Sequence, residues 1–199
     1  MSGCLLLTRQ PAENQRLAAR LAAHGVRTCS LPLLTLEPCA EGPAERQRML
    51  DLDLYHAVVV VSPVAARLGL ERLDHYWPQP PEGVFWLAVG GGTAQVLRDY
   101  GLPAQCPAQG QDSEALLAMP LWQPLLARPD LKVLIWRGED GREHLADQLR
   151  TAGARVDYLR LYARHMPAAL AADLSALAPQ LDQVLVLSVQ ALRHWREAA

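Results

Sequence analysis

The sequence contains an internal repeat, and this repeat limits the possible folds more than any other property. Residues 5–34 (LLLTRQPAENQRLAARLAAHGVRTCSLPLL) align with residues 133–162 (VLIWRGEDGREHLADQLRTAGARVDYLRLY) at a constant offset of 128, so that Arg9 matches Arg137. Both copies have the pattern of a strand, a polar turn, an amphipathic helix ending at a glycine, and a second strand. The repeat therefore predicts two copies of a βαβ unit rather than one irregular domain.

A second pair of segments repeats at an offset of 126. Residues 57–68 (AVVVVSPVAARL) resemble residues 183–194 (QVLVLSVQALRH), and the alignment matches Ser62 with Ser188. Each segment is a β-branched strand that ends in serine and is followed by a helix. A serine at that point accepts a hydrogen bond from a free helix N–H, so we predict that both serines are helix N-caps.

The first copy continues further than the second. Residues 84–102 predict a strand, a glycine turn and a helix, and residues 104–120 predict a short strand, a loop and a helix capped by Asp112 or Ser113. After Ser188 only one helix remains before the sequence ends. A sheet that stopped there would leave an unfinished edge, so we expect the chain to be truncated by about 45–50 residues.

The order of strands and helices predicts an α/β fold of two similar parallel-sheet domains with helices on both faces. Proline-bearing segments at 31–38 and 158–167 follow the two repeats and predict paired connector strands. The first domain would comprise residues 1–34 and 168–199, and the second would comprise residues 39–158. A cleft between the domains is the expected ligand site.

Composition excludes several classes of protein. Half of the residues are hydrophobic, the net charge is −2, and the arginines are dispersed, which argues against a nucleic-acid partner. No apolar run is long enough to cross a bilayer, and the N-terminus does not resemble a signal peptide. We therefore predict a cytoplasmic protein without membrane contact.

Cysteine and histidine spacings give no sign of a metal site. The cysteines form no CxxC or Cys/His pattern, which favours a reduced protein over a disulfide scaffold or a zinc site. The six histidines also lack metal-ligand spacing. We expect no metal. The cysteines are Cys4, Cys29, Cys39 and Cys106.

The strand-to-helix turns are rich in hydroxyls, glycines and arginines, and only one supplies an obvious carboxylate. Helix N-termini at the carboxyl edge of a parallel sheet favour an anionic ligand carrying several carboxylates or phosphates. Each serine or glycine also has a purely structural interpretation as a cap or turn residue. The glycine turn GGGT matches neither common nucleotide fingerprint. The candidate binding residues are Arg9, Ser62, Gly91, Gly92, Ser113, Arg137, Gly138, Arg142 and Ser188.

Two residues are candidates for a catalytic role. Tyr162 lies on the predicted return connector, where a phenol could donate a proton to a leaving hydroxyl. The alternative is that Tyr162 only packs at a hinge. Thr93 follows the glycine turn and could position a group, although its hydroxyl is a poor acid.

The ordered set of segments resembles the bacterial type of uroporphyrinogen-III synthase. The set consists of TRQPAENQRLAARLAAHG, VSPVAARL, AVGGGTAQVLRDYGL, DSEALL and LIWRGEDGREHLADQLRTAGARVDYLRLYAR, and it covers essentially the whole chain in the family's order. The resemblance implies two flavodoxin-like α/β domains joined by a two-stranded connector, with the first domain built from both chain ends. It also implies a cofactor-free lyase of haem biosynthesis, which cyclises hydroxymethylbilane with loss of water and inverts ring D. We expect a monomer.

The resemblance also assigns roles to residues. It implies that the substrate is a linear tetrapyrrole with multiple carboxylates, that Tyr162 is the acid, and that Thr93, Ser62 and Ser188 match family positions. This chain departs from the family at Val64 and Val189, where a polar residue is frequent after the serine turn. Family members also continue beyond the point where this chain ends.

Two other functions are compatible with the residues. The chain could be a non-catalytic, two-lobed α/β module that binds a polycarboxylate. A nucleotide-dependent transferase of two-domain type is disfavoured because the phosphate fingerprint is missing.

Overall fold

The structure, a computed structural model, describes residues 3–110 and 112–199. The first two residues of the predicted first domain, and one residue of the predicted loop at 104–120, lie outside these ranges. The elements in chain order are β1 (Cys4–Leu7), α1 (Pro11–Ala22), β2 (Thr28–Ser30), β3 (Thr35–Pro38), α2 (Pro43–Leu50), β4 (Ala57–Val60), α3 (Pro63–Tyr76), β5 (Phe85–Ala88), α4 (Gly91–Asp99), α5 (Ser113–Leu117), α6 (Trp122–Leu126), β6 (Lys132–Gly138), α7 (His144–Thr151), β7 (Arg155–His165), α8 (Leu170–Leu177), β8 (Leu181–Leu185) and α9 (Val189–Ala198).

The chain divides into two compact units. Unit 1 combines Met1–Glu37 with Arg164–Ala199, and unit 2 is the continuous segment Pro38–Ala163. Strands and helices alternate in both units, so the predicted α/β class is confirmed. The finer domain limits and the two-stranded connector stay predictions.

Unit 1 contains a three-stranded parallel sheet in the order β2-β1-β8. Its core is built from apolar side chains on β1, on the segment after β2 and on the last two helices. These residues are Leu6, Leu31, Leu33, Leu170, Leu174 and Ala191.

The strands β7, β6, β4 and β5 of unit 2 run parallel in a five-stranded sheet of order β3-β7-β6-β4-β5. The edge strand β3 lies almost wholly before Pro38, where unit 2 begins. Helices cover both faces of the sheet. Successive side chains of β6 point to opposite faces, and each face packs against a different helix. Val133 and Ile135 belong to one core together with Leu145 of α7. Trp136 lies against α3, where a Cβ added to Gly69 would approach the indole ring to 2.1 Å.

The sequence repeat is confirmed in the strand register. The pair Leu5↔Thr28 in unit 1 corresponds, at the offset of 128, to Val133↔Val156 in unit 2. The second repeat is confirmed in the same way. Leu5 pairs with Gln183 and Val133 pairs with Ala57, and the offset of 126 relates Ala57 to Gln183. Both copies therefore place the same three strands in the same parallel order.

The predicted serine caps are also confirmed. Ser62 Oγ accepts a hydrogen bond from the Ala65 N–H, and Ser188 Oγ accepts one from the Ala191 N–H, each at 3.1 Å. At α5 the cap is Asp112, whose carboxylate accepts from the Ala115 N–H at 2.8 Å.

The prediction of a reduced protein is wrong for two of the cysteines. Cys4 and Cys29 form a disulfide, with their Cα atoms 6.2 Å apart. The two residues lie on adjacent parallel strands and are therefore close in space. They are 25 positions apart in the sequence, so no short cysteine motif predicts the pairing. Cys39 and Cys106 are free thiols. In the described part of the chain, no helix is both long and apolar enough to cross a membrane.

Candidate functional site

The carboxyl edge of the parallel sheet in unit 2 collects most of the candidate residues. Ser62 follows β4, the glycine turn follows β5, and Gly138 is the last residue of β6. Tyr162 lies near the end of β7. Since parallel strands end at the same edge of a sheet, the topology brings these groups to one edge.

A pair of hydroxyl groups lies at this edge. The Ser62 Oγ and the Tyr162 hydroxyl oxygen are 3.1 Å apart, and either can donate the hydrogen bond. Tyr162 is buried, with 2% of its surface exposed, and Ser62 is half-buried. Because Ser62 also caps α3, the pair lies at the positive end of a 14-residue helix.

Gly138 lies directly beside the Tyr162 ring. The two residues are partners across β6 and β7, and the Glu139 N–H donates to the Tyr162 carbonyl at 2.8 Å. A Cβ added to Gly138 would lie 2.7 Å from Cε2 and 2.8 Å from Cζ of the ring. Only a residue without a side chain leaves room for the tyrosine in this position.

The glycine turn exposes the start of α4. Gly91 and Gly92 are exposed, and a Cβ added to either would meet no atom within 4 Å. Their N–H groups belong to the first turn of the helix, where an anion can accept from the backbone. Thr93 is buried, and its N–H donates to the Gly90 carbonyl at 3.1 Å.

The charge of Arg137 is already neutralised by a carboxylate within the fold. Its side chain is 5% exposed, and Nη1 lies 2.9 Å from Glu143 Oε1. The guanidinium also lies 4.6 Å from the centre of the Tyr158 ring, and the Tyr158 hydroxyl donates to the same carboxylate. The hydrogen bond from Tyr158, assisted by the charges of Arg137 and Arg150, lowers the pKa of Glu143. Sequence reasoning missed Glu143 and Tyr158 as partners, although an acid at the start of a helix is a recognisable signal.

The remaining candidates in unit 2 are accessible. Arg142 is exposed and has no ion-pair or hydrogen-bond partner in the described ranges. Ser113 is the first residue of α5 and follows the Asp112 cap. Within the residues that the structure describes, no group of three His, Cys, Asp or Glu side chains could hold a metal ion.

Unit 1 carries the counterparts from the other repeat. Arg9 is exposed and forms an ion pair with Glu13, and Ser188 caps α9. The turn after β1 is held by Asn14, which sequence reasoning missed. Asn14 is 1% exposed, and its amide donates to the carbonyls of Leu7 and Arg9 and accepts from the Arg9 N–H.

Parallel α/β sheets whose carboxyl edges combine helix N-termini, glycine turns and hydroxyl groups form a class of folds in which this edge can bind an anionic small molecule. Within that class, the family model of uroporphyrinogen-III synthase HemD matches residues 15–199. The chain therefore belongs to the uroporphyrinogen-III synthase family.

Individual relatives agree with this assignment. The chain is 32% identical over 164 residues to the uroporphyrinogen-III synthase of Salmonella typhimurium, covering 80% of this chain and 64% of that protein. It is 29% identical to the enzyme of the same name from Escherichia coli, with the same coverage. The chain thus spans slightly less than two thirds of the length of these two relatives.

Solved structures support the same fold. A crystal structure of a mutant uroporphyrinogen III synthase from the extremely thermophilic bacterium Thermus thermophilus matches with a TM-score of 0.68 at 18% identity, covering 99% of this chain and 77% of that one. The synthetase from Helicobacter pylori matches with a TM-score of 0.59 at 15% identity, covering 100% of this chain and 79% of that one.

Proposed function

We propose that this chain cyclises hydroxymethylbilane to uroporphyrinogen III, with loss of water and inversion of ring D. The observation that carries the proposal is the hydroxyl pair Ser62–Tyr162, 3.1 Å apart at the carboxyl edge of the sheet, in a chain of this family. In this proposal the protein is a lyase that needs no cofactor.

The reaction needs an acid and a site that controls conformation. The C–O bond of the ring A hydroxymethyl group breaks, the oxygen takes up a proton and leaves as water, and the pyrrole nitrogen supplies the electron pair that forms an azafulvene. The substituted α-carbon of ring D attacks the azafulvene methylene and gives a spiro intermediate. The bond from this α-carbon to the methylene bridge of ring C then breaks, with the ring C nitrogen supplying the electron pair, and that methylene forms a new bond to the other α-carbon of ring D. That carbon then loses a proton, which restores the aromatic ring and balances the proton donated at the start.

Tyr162 is proposed as the donor of the first proton. A phenol contributes general acid catalysis when it lies within hydrogen-bond reach of the leaving oxygen. The phenolate left behind would accept a hydrogen bond from Ser62 and would face the N-terminus of α3, whose partial positive charge favours an anion. Thr93 would help to orient the same part of the substrate.

The other candidate residues are proposed to bind the substrate carboxylates. Two groups in unit 2 suit this role: the N–H groups of the exposed residues Gly91 and Gly92, and the guanidinium of Arg142, which has no partner among the described residues. Arg137 is the weaker candidate because Glu143 already occupies its guanidinium. Holding a flexible chain in one conformation accounts for much of the proposed catalysis. The remaining proposed contacts are Arg9, Ser62, Ser113, Ser188 and the backbone of Gly138, which an alanine at that position would retain.

The domain limits are also part of the proposal. The first domain comprises residues 1–34 and 168–199, the second comprises residues 39–158, and segments 31–38 and 158–167 connect them. The division of the structure into two compact units supports these limits.

The test is an isomer assay. The 199-residue chain is incubated with hydroxymethylbilane, and the products are oxidised to porphyrins and separated by chromatography. We expect the type III isomer in excess over the type I isomer that forms spontaneously. Type I product alone would contradict the proposal, and so would binding of uroporphyrinogen without turnover.

A further inference from the structure

The pairing of β6 with β7 contains an irregularity next to Tyr162. The register is regular from Lys132↔Arg155 to Arg137↔Arg160, and then Gly138 pairs with Tyr162. Leu161 is therefore an extra residue on β7, which makes this position a β-bulge. Bulges redirect the side chains that follow them.

The bulge changes the face of the sheet to which Tyr162 points. Side chains alternate along a strand, and Val156 and Tyr158 pack on the face covered by α7. Regular alternation would send Tyr162 to that same face. The observed Tyr162 hydroxyl instead reaches Ser62, at the start of α3 on the opposite face.

The redirected ring needs a partner without a side chain. Its Cε2 and Cζ atoms lie 2.7 and 2.8 Å from the position that a Cβ on Gly138 would occupy. Gly138 is not among the glycines with positive φ, so alanine would strain no backbone angle there. The requirement for glycine comes from the tyrosine ring, which supplies the three atoms nearest to the added Cβ.

We propose that Gly138 is a positioning residue: together with the bulge at Leu161, it lets the Tyr162 ring lie across β6 with its hydroxyl at Ser62. The catalytic consequence rests on the proposed function, whereas the effect on the ring does not. A methyl group at residue 138 moves the ring and lengthens the Ser62–Tyr162 hydrogen bond.

The first test follows the ring directly. The protein is labelled with ¹³Cζ-tyrosine, and its Tyr162 signal is assigned by its loss in Tyr162→Phe. We expect Gly138→Ala to move this signal. The matched control is Gly42→Ala, where the added Cβ meets only the flexible carboxylate end of Glu45 and the signal stays in place. An unmoved Tyr162 signal in Gly138→Ala overturns the proposal.

The second test measures coupling in stability. Gly138→Ala should lower the unfolding temperature by about 5 °C, because the new methyl group overlaps the ring. In a Tyr162→Leu background the same change should have almost no effect, since the ring is absent. An equal loss in both backgrounds overturns the proposal. If Gly138→Ala does not fold, recovery of folding in the double variant supports it, and failure to fold while Tyr162→Leu folds overturns it.

The third test measures the catalytic consequence. Gly138→Ala should reduce kcat about 10- to 100-fold and change KM less than about twofold, because a displaced acid affects the reacting step rather than substrate binding. In a Tyr162→Phe background it should reduce kcat no further. If the unmodified chain forms no type III product, the proposed function fails, and the labelling and stability tests still decide the role of Gly138.

Discussion

At the scale of single residues, Tyr162 on β7 contacts both β6 and the start of α3. Its backbone pairs with β6, its ring lies against Gly138, and its hydroxyl reaches the cap of α3. A side chain held at both its ring and its hydroxyl has few alternative rotamers. This restriction is what a proton donor of fixed position requires.

Replacing Tyr162 by phenylalanine tests its proposed role as the acid. The change removes the hydroxyl and keeps the ring, so we expect kcat to fall about 10-fold or more while the protein stays folded. The measurement is turnover of hydroxymethylbilane, with unfolding followed in parallel.

Tyr55→Phe is the matched control for this variant. Tyr55 is 3% exposed and donates to Asp157 at 2.9 Å, and it precedes β4 at the other edge of the sheet. It should lose about 1 kcal/mol of stability and keep its turnover. Equal turnover in Tyr162→Phe and Tyr55→Phe would contradict the acid role and would leave Tyr162 as a packing residue.

At the scale of elements, the two copies of the repeat stabilise the same turn differently. In the β1–α1 turn the buried amide of Asn14 satisfies the surrounding backbone. In the β6–α7 turn the buried guanidinium of Arg137 donates a hydrogen bond to the Gly138 carbonyl, and Glu143 neutralises the charge of Arg137. The buried side chain at the turn is thus neutral in the first copy, where the Arg9–Glu13 ion pair is exposed, and charged in the second. A pH response is therefore expected of the β6–α7 turn.

This difference predicts an acid-dependent stability of the β6–α7 turn. Because the folded-state pKa of Glu143 is lowered, its stabilising contribution is present above the usual pKa of about 4.5 and is lost as the pH falls through the folded-state value. Glu143→Gln should therefore be less stable at pH 7 and lose less stability in acid than the unmodified chain. The side chain is 54% exposed, so solvent screening limits the difference to about 1 kcal/mol or less.

Urea unfolding at pH 7 and at about pH 3.5 measures this contribution. Glu82→Gln is the control, since Glu82 is exposed and no partner is described for it. The stability of Glu82→Gln should equal that of the unmodified chain at both pH values. An acid response of Glu143→Gln equal to that of Glu82→Gln would contradict the assignment.

The sequence predicted the features that depend on local pattern. Strand alternation, helical periodicity and serine caps are encoded within a few residues, and the repeat supplied the equivalence of Leu5 and Val133. The bulge at Leu161 and the Cys4–Cys29 disulfide depend on the register between strands that are distant in sequence. Burial of Arg137 depends in the same way on Tyr158 of the next strand. None of these three leaves a local pattern.

At the scale of the whole molecule, the two units differ in how the chain builds them. Unit 2 is one continuous segment, whereas unit 1 needs both ends of the chain. In unit 1 the central strand β1 pairs with β2 nearby and with β8 from the distant segment. Residues 1–37 alone would therefore lack one neighbour of the central strand and both C-terminal helices of the core.

We expect a fragment of residues 38–163 to fold by itself. It keeps β6, β4, β5, all but the last two residues of β7, and the helices on both faces, and it loses most of the edge strand β3. Near-ultraviolet circular dichroism provides the measurement, because Trp86 and Trp136 lie with ring centres 5.4 Å apart and only ordered packing gives them a signal. Thermal unfolding should be cooperative. The same fragment with Leu134→Asp, a charge at a fully buried position, should lose both properties. A fragment 38–163 without a near-ultraviolet signal would show that unit 2 depends on the rest of the chain.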